Sequence, residues 1–292
     1  MKLFGDILVG RIQITKFKEQ NMHFQENDFY TVLTSNTPVP WTSDHNNGEQ
    51  NRISQFYTAL PHQKYFGAKK WEVALIHISY PHTWLNVEGD KHFLEFDSTI
   101  DDSTTNDEVK PKRKIILPEA HYDSGEEIIE QINKLLEKNE LKSRFIFHEF
   151  SNKVTVATKN NERLKLSPLL SSTLGLYPNW NYEHNTRHGE EGYAYPGVNS
   201  VDLDLTTHNL FVYSDIIEQT ILGGHYHPLL AIIPTRNADY NSYVTERFTT
   251  PQYIPLNTNI LNGIKITIKD DQDELIRFNA GRVLLSLHFR KK

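Results

Sequence analysis

The 292-residue chain contains no cysteine. That excludes a disulfide framework, a thiolate nucleophile, and every zinc or iron–sulfur site built on thiolates. Long apolar runs are missing as well. The opening stretch MKLFGDILVGRIQITKF is broken by Asp6, Arg11 and Lys16, and nowhere do the roughly eighteen consecutive apolar residues of a membrane-spanning helix occur. The expectation is a chain with no secretory leader and no membrane span. An excess of basic charge is also absent: 31 Lys+Arg face 37 Asp+Glu, for a formal net charge of -6. That argues against sequence-specific nucleic-acid binding. No serine sits in a GxSxG elbow, no HExxH occurs, and Gly223-Gly224 opens neither a dinucleotide fingerprint nor a Walker A loop. No catalytic residue, cofactor or metal site is expected.

What remains is a 34.0 kDa chain rich in strand formers. A chain of this size buries about three quarters of its extended surface, so its core needs no staples. FYTVLTS, ISQFYTALP, WEVALIHISYP, HFLEFDS and RKIILPE read as strands in the first half. WEVALIHISYP (Trp71–Pro81) alternates imperfectly, as a strand buried on much of both faces would. DDSTTNDEVKPKRK between two of them is aperiodic and reads as an exposed loop. In the second half VDLDL, NLFVYSDI, PLLAIIP, YVTERF, IKITIKD and RVLLSLHFRKK follow, separated by turn signals.

One long helix stands out, DSGEEIIEQINKLLEKNE. Asp123 or Ser124 caps it, and Ile128, Ile129, Ile132, Leu135 and Leu136 form one apolar stripe. Arg144–Phe150 and Val154–Ala157 read as a hairpin. LSPLLSSTLGL then gives a short helix with Ser167 as cap, Pro168 in the first turn and Gly175 as stop. Strands do not alternate with crossover helices, which disfavours a doubly wound sheet or TIM barrel. The fold expected is mainly β, a single jelly-roll β-sandwich with an inserted helix-containing α+β excursion. Its parts are residues 1–27, an arm or first strand; 28–121, the first half of the jelly roll; 122–176, the inserted helix–hairpin–helix; and 177–292, an interface loop and the second half.

Several clusters invite chemistry. His225 and His227 share a strand face, with His184, His188 and His208 as further ligands by composition, yet the spacing matches no zinc motif. A bland exposed cluster is the preferred reading, although imidazoles near pH 6.5 would make any contact there pH-sensitive. Asp202 and Asp204 in VDLDL would share a face, as paired acids or calcium ligands do; polar pairing with a neighbouring strand or subunit is the plainer account. KDDQDE reads as a solvated turn. Lys110, Lys112, Arg113, Lys114 and the terminal Arg290-Lys291-Lys292 are basic but lack an aromatic platform. The segment Tyr177–Asn199 is long, aromatic and aperiodic, the character of a functional loop. Trp180, Tyr182, Tyr193 and Tyr195 are therefore the candidate subunit-interface residues, with intrachain packing against the helical excursion as the alternative.

The runs DLTTHNLFVYSDIIEQTILGGHYHPLLAIIP and FTTPQYIPLNTNILNGIKITIKDDQDELIRFNAGRVLLSLHFRK resemble the penton proteins, minor capsid proteins of mavirus-like virophages and of the related Maverick/Polinton elements. FYTVLTSNT, WEVALIHISYPHTWLNV and the EEIIEQINKLL helix are compatible, so the resemblance covers roughly residues 28–290. It implies a homopentamer closing each vertex of an icosahedral double-stranded DNA virion among capsomers of a double jelly-roll major capsid protein, assembled inside an infected host cell. Because the β pattern runs nearly to the last residue, no separate C-terminal receptor-binding domain is expected; residues 122–176, whose helix cannot continue a sheet, would be an outward embellishment, and 21–40 would reach toward neighbours where 1–20 forms an arm. Two other classes compete. A carbohydrate-binding or glycoside-hydrolysing jelly roll would need a cleft joining the Asp202/Asp204 pair to an aromatic platform. A cupin-like metal protein would need three converging His or carboxylate ligands.

Overall fold

A computed structural model describes residues 27–35, 53–67, 70–98, 113–159, 162–183, 193–235 and 238–292. The expected arm at 1–26, most of the expected reach at 21–40 and the acidic–basic loop up to residue 112 lie outside the described residues. In chain order come β1 (Asp28–Thr34), β2 (Gln55–Tyr65), β3 (Trp71–Pro81), β4 (Phe93–Ser98) and β5 (Arg113–Ile116). Then follow α1 (Gly125–Lys138), β6 (Arg144–His148), β7 (Lys153–Thr158), β8 (Glu162–Leu166), α2 (Pro168–Thr173), β9 (Asn181–Glu183) and β10 (Tyr193–Pro196). The chain closes with β11 (Asn209–Ser214), β12 (Thr220–Leu222), β13 (His225–His227), β14 (Leu229–Pro234), β15 (Tyr243–Arg247), β16 (Ile254–Pro255), β17 (Ile260–Lys269) and β18 (Leu284–Lys291).

Two antiparallel sheets, ordered β1-β18-β3-β15 and β14-β11-β17-β2, face each other across the first core. β16 also pairs with β3 in the first sheet; apart from the β11–β14 and β15–β16 pairs, consecutive strands of these two sheets lie in opposite sheets, which is the wrapped order of a jelly roll. Side-chain alternation builds that core. Leu285, Leu287 and Phe289 of β18 point inward while Ser286 and His288 point out; Ile264, Ile266 and Ile268 do the same on β17 against Lys265 and Thr267. β3 is buried continuously from Trp71 to Leu75, as its broken alternation predicts. Even Glu72 is buried there, and its carboxylate accepts from Arg290 Nε at 2.6 Å.

The connection from β3 to β11 carries a second core. It gathers the apolar stripe of α1 with Leu94, Phe96, Ile115, Val154, Val156, Leu164 and Leu170, spanning Val87 to Val201. Two further sheets, β5-β4-β8-β9 and β10-β7-β6, frame it. The predicted 122–176 segment supplies the helices and the hairpin; β4, β5, β9 and β10 join the same core from outside those bounds. The local signals for its helices translate directly. Ser124 caps α1 by accepting from Glu127 N, and Glu127 Oε2 in return accepts from Asp123 N at 2.9 Å. Ser167 caps α2, and Gly175 ends it at φ +66°, where the Asn199 carbonyl lies so close that no Cβ would fit. One predicted strand does not form. VDLDL is a turn: Asp202 Oδ1 accepts from Asp204 N, an Asx arrangement that competes with strand geometry. No described helix is long and apolar enough to cross a membrane.

Candidate functional site

The four predicted interface aromatics part company. Tyr182 is buried in the second core, and that burial pushes its phenol up to about 12. Tyr195 packs edge-on against it at 5.3 Å, so for these two the intrachain alternative describes the packing. Trp180 stays half exposed and leans on exposed Tyr177 at 5.9 Å. Tyr193 pairs its backbone with Thr158; its side chain and residues 184–192, including His184 and His188, lie outside the described residues.

Larger exposed apolar surface lies on the jelly roll itself. On β1, Phe29 and Leu33 turn inward while Tyr30 and Val32 stand 65% and 60% exposed. The signal for this was present: a strand that is apolar on both faces yet sits at a sheet edge has one face left to cover. The edges differ in their protection. Proline interrupts β2 at Pro61 and flanks β14 at Pro228 and Pro234, whereas β1 contains none. Tyr30 is held flat by His288 at 4.4 Å, and His288 Nδ1 lies 2.7 Å from Tyr253 Oη.

The His225/His227 segment is β13, one arm of a hairpin with β12 turned by Gly223 and Gly224 at φ +58° and +87°. Two positive φ values in a two-residue loop require residues such as glycine. The hairpin projects Ile221 and Tyr226, 69% and 68% exposed, while the two imidazoles lie 6.4 Å apart. Among the described residues no three His, Cys, Asp or Glu side chains converge on a metal position. Of the basic residues, Arg290 pairs with Glu72, and Lys114 sits over the Phe93 ring at 3.5 Å; Lys110 and Lys112 lie outside the described residues.

Asp202 and Asp204 line a cleft of about 870 Å³ where the two cores meet. His82 and Trp84 reach it from the end of β3, His121 and Asp123 from the start of α1, and Asp239 and Tyr240 from the loop before β15. His121 stacks on Tyr240 at 4.3 Å and meets His82 edge-on at 5.2 Å. Burial, then the neighbouring His82, holds the His121 imidazole below its ordinary value. This cleft unites the acid pair with aromatics, but not as a glycosidase would. Asp202 Oδ1 is taken by Asp204 N and its Oδ2 by His208 Nε2 at 3.1 Å, and His82 covers Trp84 at 4.4 Å. Neither a free acid at Asp202 nor an open Trp84 platform results.

No protein-family model matches the sequence, and no curated protein matches it. Solved structures do. The crystal structure of the mavirus penton protein aligns with a TM-score of 0.50 at 12% identity, over 91% of this chain and 99% of its own. A chain of the Sputnik virophage cryo-EM structure aligns at 0.45 and 9% identity, over 91% and 98%. At 12% identity the first is a likeness of fold, and it takes in the insert as well as the sandwich.

Proposed function

We propose that the protein is a minor capsid subunit, five copies of which close a vertex of an icosahedral double-stranded DNA virion. Its neighbours there would be capsomers of a double jelly-roll major capsid protein. The observation that carries the reading is the near end-to-end likeness to the mavirus penton protein, 91% of this chain against 99% of that one.

The surface supports the same reading. Closure of a ring needs a heterologous interface, one patch meeting a different patch on the next copy. The outer face of β1 with Tyr30 and Val32, and the hairpin tip with Ile221 and Tyr226, are two separate exposed patches of the required apolar and aromatic character. The reading assigns no catalytic step, and places the protein in the virion assembled within the infected cell.

Light scattering on the purified native protein tests it. Five copies of 34.0 kDa give a species of about 170 kDa. A strict monomer, with no vertex density on co-expression with the major capsid protein, overturns the reading.

A further inference from the structure

We propose that copies of this chain meet edge to edge, the β12–β13 hairpin of one lying against the free edge of β2 on the next. The inference rests on the pentamer reading above and deepens it, by naming which two sides of the sandwich close the ring.

The sheet orders define the two sides. Lys64 Nζ of β2 sits 3.3 Å over the Phe29 ring of β1, and Phe29 stacks on Phe66, just past β2, at 6.3 Å. β1 and β2 therefore border the same side of the sandwich. β15 and β14, at the far ends of the two orders among the described strands, border the other. A head-to-tail ring needs two different patches on different sides of the protomer. Tyr57 and Tyr65 stand 55% and 68% exposed on the β2 side, where Tyr65 pairs with exposed Ile260. Ile221 and Tyr226 project from the hairpin that leads into β14.

Register sets the heights of these patches. Phe56 of β2 pairs with Ile266 of β17, and Ile266 pairs with Ser214 of β11, whose N–H donates to the Pro228 carbonyl at 3.0 Å. Those four residues form one row across the sheet. β13 continues past that row at one edge as β2 does at the other, at about 3.3 Å per residue. Two residues on, Tyr226 stands level with Thr58, between Tyr57 and Ala59. With the strands running along the ring axis, the hairpin of one copy reaches Tyr57 of the next without a vertical shift.

Chemistry agrees with the geometry. Pro61 within β2 and Pro228 after β13 have no N–H, which denies the two edges a continuous backbone ladder. The contact is therefore made by side chains, for which tyrosine and isoleucine supply large area. β2 carries His62 and Lys64 and no acid, whereas 215–227 carries exposed Asp215 and Glu218 and no lysine or arginine.

Thiol cross-linking tests the contact directly, because the chain has no cysteine of its own. Tyr57→Cys with Tyr226→Cys in one chain, treated with a short bismaleimide, should give a covalent ladder from dimer to pentamer on denaturing gels. Either substitution alone should give no cross-link, because a head-to-tail contact never brings two copies of one patch together. A mixture of the two single variants should stop at the dimer. Phe150→Cys, fully exposed between β6 and β7, should give no ladder in place of Tyr226→Cys. Melting reports whether the variants fold; if Tyr57→Cys melts early, Tyr65→Cys with Ile221→Cys replaces the pair. A ladder from protein that scatters as a monomer supports the contact as a weak one. A mass of about 170 kDa with no ladder from either folded pair, or cross-links within the single variants, overturns the contact and keeps the pentamer. A strict monomer that gives no ladder overturns both.

Discussion

At the scale of single residues, buried polar groups set the sharpest expectations. Glu162 is buried, and its carboxylate accepts from Lys142 N, Ser143 N and Ser143 Oγ at 2.7, 2.8 and 2.6 Å. It fastens the start of β6 to β8. Glu162→Ala leaves three donors without an acceptor and should cost about 3 kcal/mol, read from urea unfolding. Two histidines set the pH response. Burial lowers the proton affinity of His92, and burial with His82 lowers that of His121. Both stay neutral in the fold at a pH where the unfolded chain is already protonated, so their contribution is fully present above about pH 6.5. It is lost as pH falls through their depressed folded values. Urea midpoints should therefore fall from pH 7.5 to pH 5, and His121→Phe should flatten part of that slope. An unchanged slope in a folded variant would show that His121 is not its source.

At the scale of elements, the β12–β13 hairpin separates assembly from stability. Ile221 and Tyr226 are mostly exposed in the protomer, so Ile221→Ser with Tyr226→Ser should change its unfolding free energy by less than about 0.5 kcal/mol. If the hairpin meets a neighbouring copy, the same change should shift the scattering mass from about 170 kDa toward 34.0 kDa. The elements also show how far local pattern reaches. α1, α2 and the β6–β7 hairpin begin and end where caps, glycine and turn residues place them, because those signals act within a few residues. VDLDL fails for the same reason: its Asp202 side chain captures a backbone N–H two residues on, and alternation of apolar residues does not register that competition.

At the scale of the whole molecule, the two cores share no residue. Both helices belong to the second core, whereas Trp71 and Trp84 belong to the first. Tryptophan fluorescence is thus weighted toward the first core through Trp71 and Trp84, with half-exposed Trp180 just before β9 adding a smaller signal from the second, whereas helical circular dichroism reports the second. Ile132→Ala, a cavity in the second core worth about 2–5 kcal/mol, should move the circular-dichroism transition to lower urea and leave most of the fluorescence transition in place. Coincident shifts in both signals would instead mean that the junction couples the cores into one cooperative unit.

The sequence by itself determined the class of fold, the helix boundaries and the absence of thiol chemistry. Each follows from residue type or from a period of two or about 3.6 residues along the chain. Only the tertiary structure decided which aromatics are covered. Tyr182 and Trp180 stand two residues apart in the same polar, aperiodic stretch, yet β9 pairing turns Tyr182 into the second core and leaves Trp180 at the surface. It also decided that β4 and β5 serve the second core rather than the sandwich, since a strand's alternation names a buried face but not what buries it. The junction cleft was beyond reach for the same reason. Its walls come from residues as distant as His82, His121, Asp204 and Tyr240, and contacts made by folding across such separations leave no period in the chain.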